Sequence, residues 1–586
     1  MRENSAGRSC LRKLQALIRR GVTPNDGMKR SSIGSWRREA HKLIGLCSRD
    51  ALAFSQRETI QLICLQTEFH DLSGEEAEAE DMILRHIYPQ GENLVSRLRL
   101  NGTELVKEPA PDDANAAGLL RQVVWLHLEF AWVCSYRKGE FRAALNYLDE
   151  VKMFIDARLP ATSYGTLSRF FYYQAHCYRG LRKFRESDHS LAQSQVNARL
   201  RYLLKIEESK PWNGTKGKEN KAQRDAKEKE ERTFAVICTA RILGGGIAWN
   251  AIHRGQLTHA KNACLSAETL LEETGQEPYK LLVATNRLIA EQRMIPGDRP
   301  ELETVLGDLE KKYSEHQITG SYHGQIRCAL EIVQSRLDRL TYWRQDEGRR
   351  RADEKQIAAK LGELRETIRK GSGGRLKEWR SWRSWSAQAR LLSVRFRLHE
   401  SASGAWVAIS DSVRQEIVAE LKDLEHEVRG TYLEVKHAIL RGRLEVAAFE
   451  HAEAVKYFQK ALNSTDKEDP VLMSECFLQL ADGYRLLGGF VPAREALDGW
   501  RAIMSAVDNA YLPQFAGMIR KSMDAAQRPF VINVEDDLTW KNCEGRLRSW
   551  LAGAARIRAA KENGNASGKA IAGILGIDPS SWSRWH

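Results

Sequence analysis

The polar side chains near the C-terminus are the clearest candidates for recognition chemistry in this sequence. Four of them lie close together at Ser580, Ser581, Ser583 and Arg584, and Lys569 precedes them. Hydroxyl and guanidinium groups donate hydrogen bonds to base edges and phosphates, and lysine neutralises phosphate charge. These five residues are therefore predicted to face DNA.

Two short helices would position these groups. Ser567 can cap a helix that ends at Gly576, and Asp578-Pro579 provides a cap followed by proline at the first helical position. Trp582 and Trp585 are three apart and would share the inner face of the second helix. An apolar stripe upstream predicts a third, supporting helix, and it consists of Leu547, Trp550, Leu551, Ala554 and Ile557.

This arrangement resembles the helix-turn-helix of phage-repressor-like DNA-binding domains. The small, turn and apolar positions of that motif match Ala572, Gly576, Ile577 and Trp582 in order. The resemblance implies a DNA-binding module at the end of the chain, and eight Lys/Arg against three acids over 541–586 suit a polyanion. A single short recognition helix reads few base pairs, so a homodimer or another DNA-bound partner is expected. The alternative is a small helical cap that closes a helical array.

Composition predicts an all-α chain with several units. The 586 residues exceed what one ordinary core holds, so several domains or an extended repeat array are expected. Only 14 prolines occur, and apolar positions recur at spacings of three and four almost throughout. The formal charge of +13 favours nucleic acid or an acidic protein surface as a partner.

A recurring pair of helices with small residues at the crossing organises the chain. The small residue of the second helix falls at five positions, which are Ala144, Ser187, Ala260, Ala454 and Ala493. This pattern resembles the tetratricopeptide repeat, in which small residues let two antiparallel helices approach closely. The resemblance implies a solenoid whose concave surface holds a protein or peptide. Neighbouring slots are 43 and 39 residues apart, against about 34 in the regular repeat, so the solenoid is degenerate. A generic helical bundle is the alternative.

These patterns divide the chain into seven segments. A charged, solvated insertion and the joint Gly371-Ser372-Gly373-Gly374 interrupt the helical repeats. The predicted divisions are an N-terminal helical region at 1–110, helix pairs at 111–205, the insertion at 206–232, helical repeats at 233–370, the joint at 371–374, further repeats at 375–530 and the helix-turn-helix-like module at 531–586.

Aromatic and basic residues alternate just after the joint. Trp379, Trp382 and Trp385 are interleaved with cations, which could stack bases and neutralise phosphates. Tryptophans at i, i+3 and i+6 also form one face of a helix that packs against a core. We favour the packing face, because no second aromatic and basic segment nearby would complete a groove.

Enzyme chemistry has little support in the sequence. The run Gly244-Gly245-Gly246 follows no strand and predicts close helix packing instead. No histidine pair has the i, i+4 spacing of a helical metal site, and we expect neither a metal nor a cofactor. The ten cysteines form no Cys-x2-Cys pair and read as reduced core thiols. With no apolar signal region and no evident membrane span, we expect a cytoplasmic protein.

Together these features predict a non-enzymatic, DNA-binding regulatory protein. Its tetratricopeptide-like array would sense a protein or peptide, and its tail would read a DNA site. The alternatives are a protein-interaction scaffold and a subunit of a larger nucleoprotein or defence assembly.

Overall fold

All secondary structure that the computed structural model describes is helical. The described residues are 5–20, 30–49, 61–63, 65–66, 69, 121, 124–125, 127–137, 139–159, 163–209, 221–272, 277–319, 321–343, 345–371, 380–402, 409–448, 450–467, 469–504 and 507–527. The predicted all-α class is confirmed.

The N-terminal half of the described chain contains ten α-helices. They are α1 (Ser5–Arg20), α2 (Arg30–Arg49), α3 (Phe141–Arg158), α4 (Tyr164–Gly180), α5 (Phe184–Ser209), α6 (Lys221–Arg241), α7 (Ala248–Arg254), α8 (Leu257–Glu272), α9 (Glu277–Met294) and α10 (Glu301–Thr319). Two π-helical turns, Val133–Arg137 and Ile242–Ile247, precede α3 and α7.

Nine further α-helices complete the described chain. They are α11 (Tyr322–Tyr342), α12 (Glu347–Gly371), α13 (Arg380–Ala402), α14 (Asp411–Val428), α15 (Tyr432–Ala447), α16 (His451–Asn463), α17 (Pro470–Leu486), α18 (Phe490–Met504) and α19 (Tyr511–Gln527). Side-chain oxygens cap several of them: Asp469 accepts from the Leu472 amide, and Pro470 occupies the first turn of α17.

Consecutive helices pack in pairs on the small residues identified in the sequence. Contacts join α4 to α5, α7 to α8, α15 to α16 and α17 to α18. The five predicted second-helix residues are all fully buried, namely Ala144, Ser187, Ala260, Ala454 and Ala493. At Ser187, the one polar member, the hydroxyl donates to the Ala175 carbonyl at 2.8 Å. The arrangement is compatible with a helical repeat solenoid.

Several of the described turns have a left-handed residue two positions before the following helix begins. Glycine fills this position at Gly139, Gly255 and Gly488, with φ of 66°, 72° and 78°. In the α4–α5 turn the equivalent residue is Arg182, with φ of 62°. Because a Cβ makes this conformation costly, an arginine here indicates a role for its side chain.

Gly244, Gly245 and Gly246 pack closely against other helices, as predicted. They lie in the π-helical turn Ile242–Ile247, which joins α6 to α7 without a break. A Cβ on Gly246 would lie 2.6 Å from the Leu191 Cδ2 atom. Side chains from neighbouring helices donate hydrogen bonds to two carbonyls of this π turn. Asn286 donates to the Gly244 carbonyl at 2.8 Å, and Arg179 donates to the Gly245 carbonyl at 3.0 Å.

The array closes on itself, because its last described helices contact its earlier ones. Contacts join α7 to α17 and α11 to α19. The Asp508 carboxylate accepts hydrogen bonds from the backbone amides of Leu257 and Thr258, at 2.5 and 2.8 Å. The Asp508 amide in turn donates to the Gly255 carbonyl at 2.9 Å. Asp508 therefore satisfies the first turn of α8 from the far end of the described chain.

Several predictions concern side chains that the core contains. Trp382 is buried and Trp385 packs partly buried beside it, with ring centroids 5.4 Å apart, so the packing interpretation is confirmed for these two. The described cysteines are free thiols, and six of the eight are buried. Burial raises the pKa of the Cys264 thiol to about 12, which keeps it protonated.

One helical stretch, Glu231–Arg254, is long and apolar enough to cross a membrane by length and composition. This stretch was not expected from the sequence, where charged residues flank its apolar part. The stretch packs against α5, α8 and α9, as a core helix does.

The segment boundaries stay predictions. Helix α6 begins at Lys221, within the charged segment, and Gly371 ends α12, while residues 210–220 and 372–379 lie outside the described residues.

Candidate functional site

The residues predicted to face DNA lie beyond the described part of the chain. Ser580, Ser581, Ser583, Arg584 and Lys569 all follow Gln527, the last described residue. The helix-turn-helix therefore stays a prediction from sequence. A different candidate site lies inside the helical array.

A cavity of about 230 Å³ lies where the closing array brings distant helices together. Its walls come from α7, α9, α11, α13, α15 and α17, and from the loop that leads into α19. Arg182 reaches it from the α4–α5 turn. No one helix pair forms this site, so it exists only because the array closes.

Helix α15 shows how the sequence lines the cavity. Tyr432, Lys436, Ile439 and Arg443 all face it, and spacings of three and four place them on one side of the helix. Val435 and Ala438 of the same helix pack in an apolar cluster with residues of α16 and α17, and this cluster also contains Ile439 of the cavity wall. The same side of α15 thus carries one lysine, one arginine and one tyrosine into a space shared with apolar residues.

Four arginines in the cavity wall each have a carboxylate partner. Arg293 pairs with Glu331 at 2.6 Å, and Arg395 pairs with Asp338 at 2.8 Å. The other two pairs are Arg182 with Asp469 at 3.2 Å and Arg443 with Glu475 at 4.0 Å. The two charges within each pair cancel. Together the four pairs include all four carboxylates of the cavity wall.

Lys436 is the fifth cation of the wall and has no such partner among the described residues. Positions three and four residues away on its own helix are Tyr432, Leu433, Ile439 and Leu440, so no carboxylate lies beside it on α15. The wall therefore carries a surplus of one positive charge, located on Lys436.

The wall also contains a buried hydrogen-bond donor without a partner. Arg395 is only 9% exposed, and its Nε atom has no hydrogen-bond partner among the described atoms. Its Nη2 atom already contacts Asp338 and Thr341. Buried polar groups normally have partners, so an unused N–H in a cavity wall is a place for a ligand acceptor.

Arg182 joins three parts of the array at one corner of the cavity. Its guanidinium carbon lies 4.1 Å from the centroid of the Tyr432 ring, and its Nη1 atom donates to His253 Nδ1 at 3.2 Å. Burial, reinforced by Arg182 and other arginines, holds the pKa of His253 well below its usual value. His253 is therefore neutral and can accept this hydrogen bond.

An aromatic pair lies where α19 meets the cavity, through Tyr511. The Tyr342 and Tyr511 rings stack at 5.4 Å, and Arg443 donates to the Tyr342 hydroxyl at 2.7 Å. Burial raises the pKa of both phenols, so they stay protonated and uncharged. Tyr511 also begins α19, which ties this wall to the last described helix.

The arrangement is suited to binding. Within the described ranges no group of three His, Cys, Asp or Glu side chains could hold a metal ion. The cavity offers cation, phenol and amide donors beside leucines and aromatic rings, which is the usual composition of a small-molecule site.

Sequence reasoning missed this cavity but could have found one signal. When the helix pairs are aligned, Arg182 occupies the place of Gly139, Gly255 and Gly488. An arginine at a position that favours glycine indicates that its side chain makes contacts that offset the backbone cost. Lys436 carries no such local signal, because the other residues of the cavity wall come from helices far away in sequence.

The fold and the cavity define an all-α protein of paired helices that closes around a small polar and aromatic site. A scan of protein-family models finds no match to the chain, and a search of curated proteins finds no similar sequence.

Proposed function

We propose that this chain is a DNA-binding regulatory protein in which the helical array senses a small ligand and the tail binds DNA. The observation that carries the proposal is the cavity, which distant helices form together. A space of about 230 Å³ holds a small molecule more readily than the protein or peptide suggested by the tetratricopeptide resemblance. The residues of 541–586 that resemble a helix-turn-helix supply the DNA-binding half.

The loop between α18 and α19 connects the two halves. Asn509, Ala510 and Tyr511 line the cavity, and Asp508 beside them holds the first turn of α8. Helix α19 then runs to Gln527, where the tail begins. A ligand that favours one position of this loop would bias the position of α19, which is the differential contact that such coupling needs.

The test is DNA binding by the full chain and by a 1–540 truncation, using labelled genomic fragments at several salt concentrations. We expect the full chain to bind more tightly and the truncation to lose specific binding. Equal affinity of the two at low salt, together with a monomeric full chain, would replace the regulator with a protein-interaction scaffold.

A point variant sharpens this test without removing the tail. Arg584→Ala should weaken specific binding by about 1–3 kcal/mol if Arg584 contacts a base, and should reduce the salt slope if it contacts a phosphate. Arg501→Ala is a matched control, because Arg501 is 65% exposed on α18, far from the tail in sequence. The control should bind DNA as the unmodified chain does.

A further inference from the structure

We propose that the cavity binds a small aromatic carboxylate and that Lys436 recognises its negative charge. This inference rests on the proposed function, since it names the ligand class of the same cavity.

The charges of the wall select an anion with one negative charge. Each of the four arginines is already paired with a carboxylate of the wall. Only Lys436 is left without a partner among the described residues, and a neutral ligand would leave its ammonium uncompensated in a half-buried place. A charge-assisted hydrogen bond from a carboxylate satisfies the lysine, whereas a dianion would exceed the available positive charge.

The volume of the cavity suits a ligand of about one ring with a short acidic substituent. A dry cavity of about 150 Å³ accommodates benzene, and this cavity measures about 230 Å³. The difference leaves room for a carboxylate and a linking carbon. A folded partner is too large for this space.

The rest of the wall suits an aromatic body. Trp249, Tyr432 and Tyr511 lie around the cavity together with Leu391 and Leu440. Aromatic rings pack favourably on one another and exclude water from the charged pair. The unused Nε–H of Arg395 offers a second donor to the ligand's carboxylate or to a ring substituent.

The experiment measures binding of phenylacetate to the full chain by isothermal titration calorimetry, with phenylacetamide as the neutral analogue of the same shape. We expect saturable binding of phenylacetate to one site and an affinity for the amide that is lower by about tenfold or more, because one charge-assisted contact contributes about 1.4 kcal/mol or more. No saturable binding of phenylacetate, or equal affinity for the amide, would overturn the proposal.

Two substitutions locate the charge that is recognised. Lys436→Gln should lower the affinity for phenylacetate by about tenfold or more, and Lys436→Arg should retain most of it. Lys456→Gln is the matched control, because Lys456 is 71% exposed on α16. Unchanged affinity in Lys436→Gln would overturn the assignment. Circular dichroism checks that each variant is folded, and if Lys436→Gln is not, the comparison of acid with amide on the unmodified chain decides.

The outcome separates this inference from the proposed function. DNA binding that depends on the tail, without any binding of phenylacetate, leaves the regulator in place and removes the ligand class. Phenylacetate binding that depends on Lys436, without DNA binding, retains the ligand class and removes the regulator.

Discussion

Arg182 shows how much one residue outside its preferred backbone conformation can reveal. It has a left-handed conformation that glycine has in three comparable turns, yet its side chain contacts His253, Tyr432 and Asp469. The backbone cost of a Cβ in this region is about 1–2 kcal/mol. The side-chain contacts must exceed this cost if the arginine contributes to stability.

We therefore predict that Arg182→Gly destabilises the protein although it relieves the backbone. Its ion-pair partner Asp469 is 5% exposed at the side chain, and removing one member of a buried pair costs about 3–5 kcal/mol. The relieved backbone strain offsets part of this cost. The free energy of unfolding, measured in urea, should therefore fall by about 1–4 kcal/mol. With Asp469→Asn already present, the additional loss should shrink. A more stable Arg182→Gly protein would contradict the role of the side chain in closing the array.

Asp508 is a second residue whose importance lies in distant contacts. Asp508→Ala removes the acceptor for the Leu257 and Thr258 amides, and loss of a helix cap costs about 0.5–2 kcal/mol. The measurement is again urea unfolding. Asp498→Ala, at a position 68% exposed on α18, should change stability by less than about 0.5 kcal/mol. Equal effects of the two substitutions would show that Asp508 contributes no more than a surface carboxylate.

At the scale of the elements, small residues determine how closely paired helices approach. A Cβ on Gly442 of α15 would collide with the Phe458 ring of α16, whereas a Cβ on Gly307 of α10 meets nothing within 4 Å. Gly442→Ala should therefore destabilise by about 1–3 kcal/mol through overpacking. Gly307→Ala should stabilise by up to about 1 kcal/mol, because alanine is the better helix former. Thermal unfolding of both variants checks the pair, and an equal response would contradict the assigned helix crossing.

The same scale separates what the sequence could predict from what it could not. The paired helices were predictable, because Ala144, Ser187 and Ala454 lie near their partners in sequence and their small size is the signal. Trp382 was predictable as core from its spacing within one helix. The contact of Asp508 with Thr258 spans 250 residues, and nothing in either segment's local pattern indicates it. The cavity depends on such contacts, so its residues could not be found from periodicity.

At the scale of the whole molecule, buried histidines make stability depend on pH. Burial is the first cause that lowers the pKa of four of them, His176, His253, His316 and His323, and that of His316 falls to about 3. The unfolded chain then binds more protons below the ordinary histidine pKa of about 6.5. Their contribution to stability is fully present above that pH and is lost as the pH falls toward the folded pKa.

We predict that the free energy of unfolding decreases between about pH 7 and pH 5, by up to about 1.4 kcal/mol per pH unit for each such histidine in the lower part of that range. Urea unfolding at several pH values measures the slope. His316→Gln should reduce the slope by the share of one histidine. A free energy that stays constant or rises on acidification would contradict the neutral, buried state of this group.

The contact between Asp508 and the first turn of α8 forms late in protein synthesis. On the ribosome the amide of Thr258 is made first, and its acceptor follows 250 residues later. At about 5–20 residues per second, synthesis of that stretch takes roughly 10–50 s. During this interval the cavity wall lacks Asn509, Ala510 and Tyr511, which have not yet been made. The wall of the cavity is therefore complete only after Tyr511 has been synthesised, long after its first helices.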